Sequence, residues 1–316
     1  MNMVDLRELT GVGPGPTTSS RRADLRAALV AGTLVLPGAT DAMGTRLAEA
    51  AGFAAVYATG AGLANAQYGI PDMGLISATE VAAHVERLAG ATRLPLVVDA
   101  DTGFGGPLMA MRAARTLERA GAAGLQIEDQ EMPKRCGHFD SHTLIPAEHM
   151  AHKIVAVREA LEDPQTVIIA RTDARSVHDI DEAIRRAHLY REAGADVLFV
   201  EAPRTVEELT LVGRELAGTP LVVNVVEGGK TPQLTLTEYQ ELGFTVVLFA
   251  NFLMRAMLHA GAAALAHLKE HGETDSYAAH IATWEERQTL FNLPQFSAAE
   301  AALDQPWAGT GSTATR

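Results

Sequence analysis

Two stretches carry the residue types that could do chemistry. In "DADTGFGG" (residues 99 to 106) Asp99 and Asp101 stand two residues apart at the end of an apolar run, and Glu128 ends the next such run in "AGLQIED" (123 to 129). An all-oxygen set of this kind suits a hard cation such as Mg²⁺, with Mn²⁺ the alternative. Mg²⁺ usually keeps several waters and takes only one or two carboxylates directly. The plainer reading is that Asp99 and Asp101 only satisfy backbone amides in a glycine-rich turn.

The second stretch is "IEDQEMPKRCGHFDSH" (127 to 142), which holds Cys136, the single cysteine of the 316 residues. A lone cysteine is more often a small buried hydrophobe. Here Lys134, Arg135 and His138 surround it and Gly137 frees the backbone, so the sequence favours a reactive thiol stabilised by positive neighbours.

Such residues need a frame that brings them together. Eight short, nearly continuous apolar runs read as buried parallel strands: 33 to 37, 54 to 60, 94 to 101, 123 to 129, 166 to 173, 196 to 202, 220 to 228 and 245 to 250. Helical spacing fills the gaps, as in "PLMAMRAARTLERAG" (107 to 121) and "IDEAIRRAHLYREAG" (180 to 194). Gly52, Gly121, Gly194 and Gly243 each close a helix where a left-handed residue is needed. Eight βα units predict a closed α/β barrel of the (β/α)8 TIM type rather than an open sheet. The polar residues Thr59, Asp99, Asp101, Glu128, Asp129, Arg171, Asp173, Glu201, Asn224, Glu227 and Asn251 lie at strand C-terminal ends, which a barrel gathers at one mouth.

The predicted organisation is a mobile tail at 1 to 22, the barrel with extra C-terminal helices at 23 to 304, and a second tail at 305 to 316. Two helical stretches, about 253 to 271 and 276 to 292, exceed what one covering helix requires and are expected on a neighbouring subunit.

Bulk properties exclude several functions. With 47% hydrophobic and 21% charged residues the chain can build one large core, and its net charge of -13 disfavours nucleic acid. No run approaches the roughly 20 apolar residues that cross a bilayer. One cysteine and no signal-like N-terminus point to the cytoplasm. "EGGKTP" (227 to 232) would need glycine where Asn224 stands to be a phosphate loop. His142, His149 and His152 have no second thiolate and read as solvated rather than as a zinc site.

The motifs "YATGAG" (57 to 62), "IPDMG" (70 to 74), "DADTGFGG", "IEDQ" (127 to 130), "KRCGH" (134 to 138), "ARTDA" (170 to 174) and "EGGKTP" together resemble the isocitrate lyase and phosphoenolpyruvate mutase superfamily, most closely its 2-methylisocitrate lyase branch. The likeness runs from about residue 25 to 300. It implies a barrel whose eighth helix is exchanged between subunits of a homotetramer built from dimers. It also implies Mg²⁺ held by Asp99 with Asp101 and Glu128 nearby, and Asp72 on a loop closer to the substrate.

The resemblance further implies that "KRCGH" is a gate whose Cys136 delivers a proton after carbon-carbon cleavage. Thr59, Gly60 and Ala61 would bind a 2-oxo acid such as pyruvate. Arg135, Arg171, His138 and Asn224, with Lys134 and Gly137 beside them, would face the developing anion, and Glu201 would orient them. Tyr57 or a water on the metal would be the base. The expected reaction splits a 2-methylisocitrate-like acid into pyruvate and a dicarboxylate such as succinate. Arg255 matches an arginine of methylisocitrate lyases, whereas "EAPRTVEE" (201 to 208) and "EGGKTP" look closer to 2,3-dimethylmalate lyase, carboxyphosphonoenolpyruvate mutase and petal-death proteins. Oxaloacetate hydrolysis is a further alternative.

Overall fold

The structure, a computed structural model, describes residues 17 to 134 and 143 to 304. Eight parallel strands close on themselves in sequence order, β1 (Leu34–Ala39), β2 (Val56–Ala58), β3 (Leu96–Asp99), β4 (Gly124–Glu128), β5 (Val167–Thr172), β6 (Val197–Val200), β7 (Leu221–Asn224) and β8 (Val246–Phe249). The ring closes where Leu34 to Pro37 of β1 pair with Val246 to Phe249 of β8. Each strand falls within, or within two residues of, an expected apolar run. This is the (β/α)8 fold.

The first helix, α1 (Thr18–Ala31), begins inside the stretch expected to be a tail. Thr17 caps it by accepting from the Ser20 amide, and an N-cap threonine of this kind is a start signal. Around the barrel follow α2 (Ala42–Ala50), α3 (Ala78–Ala91), α4 (Pro107–Ala120), α5 (Ala147–Ala160), α6 (Ile180–Glu192), α7 (Val206–Glu215) and α8 (Leu236–Glu241). The four expected helix-closing glycines are left-handed, with φ of 81° at Gly52, 113° at Gly121, 103° at Gly194 and 89° at Gly243.

Apolar residues form two cores, as a barrel requires. The inner one fills the lumen with Leu34, Leu36, Tyr57, Val97, Ile169, Phe199 and Leu248, among others. The outer one packs the opposite faces of the strands, for example Val98, Leu125 and Leu198, against the helices through Leu117, Met150 and Leu209.

Helix α1 seals the N-terminal end of the lumen. Its Leu25 joins the inner core at 1% exposure. Arg22 donates to the Ala122 and Glu118 carbonyls and pairs with Asp163, while Arg26 donates to the Gln165 and Pro164 carbonyls and to Asp196. Backbone carbonyls at the bottom loops thus find partners that a strand could not supply.

The described residues fall into two compact units, one ending at Ala266 and the other running from His267. Helix α9 (Phe252–His271) has no buried residue. The second expected C-terminal helix is divided: a 3-10 turn (Asp275–His280) precedes α10 (Trp284–Leu290) and α11 (Leu293–Leu303). Thr283 starts α10 with a capping box on Glu286, and Asn292 at φ 59° separates α10 from α11. No helix among the described residues is long and apolar enough to cross a membrane.

Candidate active site

The C-terminal strand ends surround a cavity of about 230 Å³. Its wall includes Tyr57, Thr59, Ala61, Asp72, Asp99, Glu128, Lys134, Arg171, Glu201 and Asn224, all of them residues proposed from sequence. Gly60 lies against the same wall. A Cβ added there would sit 2.9 Å from Asp99 Oδ2, so only glycine lets its N–H approach that oxygen, at 3.3 Å.

Asp99 Oδ1 accepts from the Asp101 amide at 3.2 Å, the backbone-satisfying role expected in a glycine-rich turn. The turn also sends Asp101 to φ 47°, a left-handed conformation that a bulkier side chain would resist. That turn aims its carboxylate at Lys134, whose Nζ lies 2.8 Å from Asp101 Oδ1 and 2.6 Å from Asp72 Oδ1. Burial works against the lysine's charge, but Asp101, Asp99, Glu128 and Asp72 outweigh it and hold its pKa well above the ordinary range. Burial pushes the Asp101 carboxyl up to about 6, against the pull of Lys134.

Arg171 crosses the floor of the cavity. Its Nε and Nη2 donate to both oxygens of the buried Asp173 at 3.1 and 2.7 Å, a forked pair that fixes the guanidinium plane. The same group lies 5.3 Å from the Phe199 ring centre, 3.4 Å from Glu128 Oε2 and 3.6 Å from Glu201 Oε2. Asp173 is held in turn by Asp129, which accepts its amide at 3.0 Å along with the hydroxyls of Thr172 and Tyr190 and an Arg186 N–H. Burial and neighbouring carboxylates raise the Glu128 carboxyl well above the ordinary range despite Arg171.

Opposite, Asn224 donates to Glu201 Oε2 at 3.4 Å, and Thr59 donates to Asn251 Oδ1 at 3.2 Å. Arg255, near the start of α9, is outside the cavity wall; it reaches the site through Glu227, donating to its carbonyl and its Oε2 at 2.9 Å each. Arg135, Cys136, Gly137, His138 and His142 lie outside the described residues. His149 and His152 are on the exposed side of α5.

Tyr57 points into the lumen and donates its hydroxyl to Gln126 Oε1 at 2.9 Å. Burial, and then the Asp99 charge, raise its pKa well above that of a free phenol. A hydroxyl that keeps its proton on an amide oxygen is poorly placed to be the resting base. Gln126 is not among the residues expected from sequence; its one visible signal is a polar side chain at the centre of a strand, "GLQIE", whose other polar residue is the terminal Glu128.

Five carboxylates (Asp72, Asp99, Glu128, Glu201, Glu227) line the cavity against two cations, Lys134 and Arg171, among the described residues. Glu128 Oε1 is buried without a hydrogen-bond partner, an arrangement that is expensive unless a cation or donor arrives. Among the described residues no three His, Cys, Asp or Glu side chains converge as ligands of one ion. The carboxylates of the wall are all-oxygen donors, the kind that suits a hard cation such as Mg²⁺.

Residues 25–269 match the family model described as phosphoenolpyruvate phosphomutase. The chain belongs to that family. Its members within the wider isocitrate lyase and phosphoenolpyruvate mutase superfamily include two close relatives. One is the petal death protein of Dianthus caryophyllus, 43% identical over 83% of this chain and 82% of the relative. The other is the 2-methylisocitrate lyase of Bacillus subtilis (strain 168), 42% identical over 76% and 78% respectively. The crystal structure of 2,3-dimethylmalate lyase superposes with a TM-score of 0.83 at 33% identity, over 90% of this chain and 95% of that one. A phosphonopyruvate hydrolase in complex with oxalate and Mg²⁺ gives 0.81 at 30% identity, over 89% and 98%. With lyases so close, this family member is an enzyme of the carbon-carbon lyase type.

Proposed function

We propose that the enzyme cleaves a 2-hydroxy polycarboxylate of the 2-methylisocitrate kind into pyruvate and a dicarboxylate such as succinate, with Mg²⁺ as cofactor. The observation that carries this reading is the acid-lined cavity in which a forked Arg171 faces Glu128 and Glu201. Asp99 would hold the ion, with Asp101 and Glu128 nearby, and the ion when bound would supply positive charge to the oxygens of an oxo acid.

The residues divide the rest of the work. The substrate hydroxyl proton would pass to a water in the cavity, letting the oxygen electron pair form the new carbonyl as the adjacent carbon-carbon bond breaks, and the bonding pair stays on the departing carbon as a carboxylate-stabilised carbanion. Arg171, pinned by Asp173 and resting on Phe199, presents fixed N–H donors to the anion that develops there. Asn224 and Glu201 set the opposite wall, and the Thr59 to Ala61 turn the oxo-acid end. Lys134 offsets part of the charge of Asp72 and Asp101, which lessens the repulsion a polyanion meets at the mouth. Cys136, assigned from the sequence, protonates the carbanion and leaves the dicarboxylate.

The assembly we propose is a cytoplasmic homotetramer in which α9 is exchanged between copies. Phe252, Leu258 and Leu265 of that helix are 58%, 70% and 70% exposed, an apolar load that a second copy would cover.

The test offers 2-methylisocitrate, isocitrate, 2,3-dimethylmalate and oxaloacetate with Mg²⁺ and follows 2-oxo acid release. Cleavage of 2-methylisocitrate that stops on chelation and falls sharply in Cys136→Ser is expected. Preference for 2,3-dimethylmalate, which the similarity to a lyase of that name supports, would move the substrate within the same reaction. Full activity after exhaustive chelation would sink the metal.

A further inference from the structure

Inside the lumen, Gln126 on β4 pairs in register with Asp99 on β3 and with Ile169 on β5. It is 1% exposed in a space filled mainly by aliphatic side chains, with Tyr57 and Phe199. An amide placed there must find partners for both its ends. Oε1 accepts the Tyr57 hydroxyl at 2.9 Å, and Nε2 donates to Asp99 Oδ1 at 3.4 Å. The orientation is dictated by chemistry. A carboxylate only accepts, so the NH₂ end must face Asp99 and the oxygen must face the phenol.

Asp99 thereby receives three fixed donors: the Gly60 amide on Oδ2, and the Asp101 amide and Gln126 on Oδ1. One comes from the segment after β2, one from the turn after β3, and one from the neighbouring strand β4. Only the last is braced from below, because Tyr57 rises from the inner core at 3% exposure.

We infer that Tyr57 and Gln126 form a positioning chain that holds the Asp99 carboxylate in place for a divalent cation. Neither touches the ion; they act through Asp99, as hydrogen-bond partners of metal ligands commonly do. The inference rests on the metal reading above, and it gives Tyr57 a purpose other than that of a base.

Mn²⁺ binding to the purified full-length protein, followed by electron paramagnetic resonance, tests both layers separately. Gln126→Met keeps the volume and removes the donor, and its Kd for Mn²⁺ should rise tenfold or more. Tyr57→Phe removes one hydroxyl, frees the amide to rotate, and should raise Kd about threefold. In the double variant the tyrosine change should add nothing. A wild-type Kd in Gln126→Met, or additive effects in the double variant, would overturn the chain while leaving the metal in place. Absence of Mn²⁺ binding by the wild type would remove the metal reading and the inference together. If Gln126→Met fails to fold, as judged by circular dichroism, Tyr57→Phe decides alone, and an unchanged Kd there overturns the inference.

Discussion

Lys134 Nζ lies 2.6 Å from Asp72 Oδ1, with the lysine side chain 4% exposed and the aspartate 16%. The contact ties the segment after β2 to the segment after β4 across the mouth of the barrel. Because Lys134 also meets Asp101, Lys134→Met leaves two carboxylates facing each other without their cation. Loss of about 3 kcal/mol of stability is expected, together with at least about a hundredfold drop in kcat/KM. Chemical denaturation and steady-state kinetics would check the pair, and a variant of wild-type stability would show that the ion pair is not structural.

Arg171 gives a prediction about shape rather than charge. Arg171→Lys keeps the positive group but loses the fork on Asp173. Its kcat/KM should fall by about 10² to 10³. Asp173→Asn should lose about tenfold in kcat/KM, with kcat reduced, because the guanidinium remains but is held less firmly. Equal oxalate affinities in wild type and Arg171→Lys would argue against a role in anion binding.

Acid stability should depend on His84. The imidazole is 2% exposed and Nε2 has no hydrogen-bond partner. Burial, then the Arg87 charge, lower its pKa to about 4, against a smaller opposing pull from Asp41. An unfolded chain takes up this proton near pH 6.5, while the folded one resists it until about 4, so stability falls as pH drops through that window. Between pH 7 and pH 5 the contribution is about 2 kcal/mol. His84→Leu should remove that much of the pH dependence in urea melts, and an unaltered slope would contradict the assignment.

The apolar face of α9 predicts an assembly. Leu258→Glu together with Leu265→Glu should convert a tetramer to smaller species by sedimentation velocity, because both side chains are 70% exposed in the single chain. A wild type that sediments as a monomer at micromolar concentration would rule out the exchange.

Much of this was legible in the residues. Continuous apolar runs marked all eight strands, and glycines such as Gly121 marked helix ends because few other residues adopt a left-handed turn. Strand-end polarity located the cavity wall. Side-chain partnership was less legible. Nothing in the spacing told that Asp173 would grip Arg171, that Arg255 would reach Glu227 rather than the cavity wall, or that Gln126 would stand between Tyr57 and Asp99. Arg171 and Asp173 are two residues apart and their grip depends on the local turn after β5, whereas the other contacts join positions 27 to 69 residues apart that only the closed barrel brings together. Helix α1 starts inside the stretch read as a tail for another reason: "TTSSRR" is polar throughout, yet Arg21 and Arg22 are drawn in by the Ala89 carbonyl in the last turn of α3 and the Ala122 carbonyl before β4.

The seal formed by Leu25, Arg22 and Arg26 under the lumen makes the barrel a blind-ended vessel. Reactant and both fragments of a cleavage must use one doorway. In the proposed reaction a piece lying deepest against Asp99 and the Thr59 turn would leave after one nearer the opening. Product inhibition would then be competitive for the deep fragment, and the order of departure would follow from the floor of the molecule as much as from the residues at its rim.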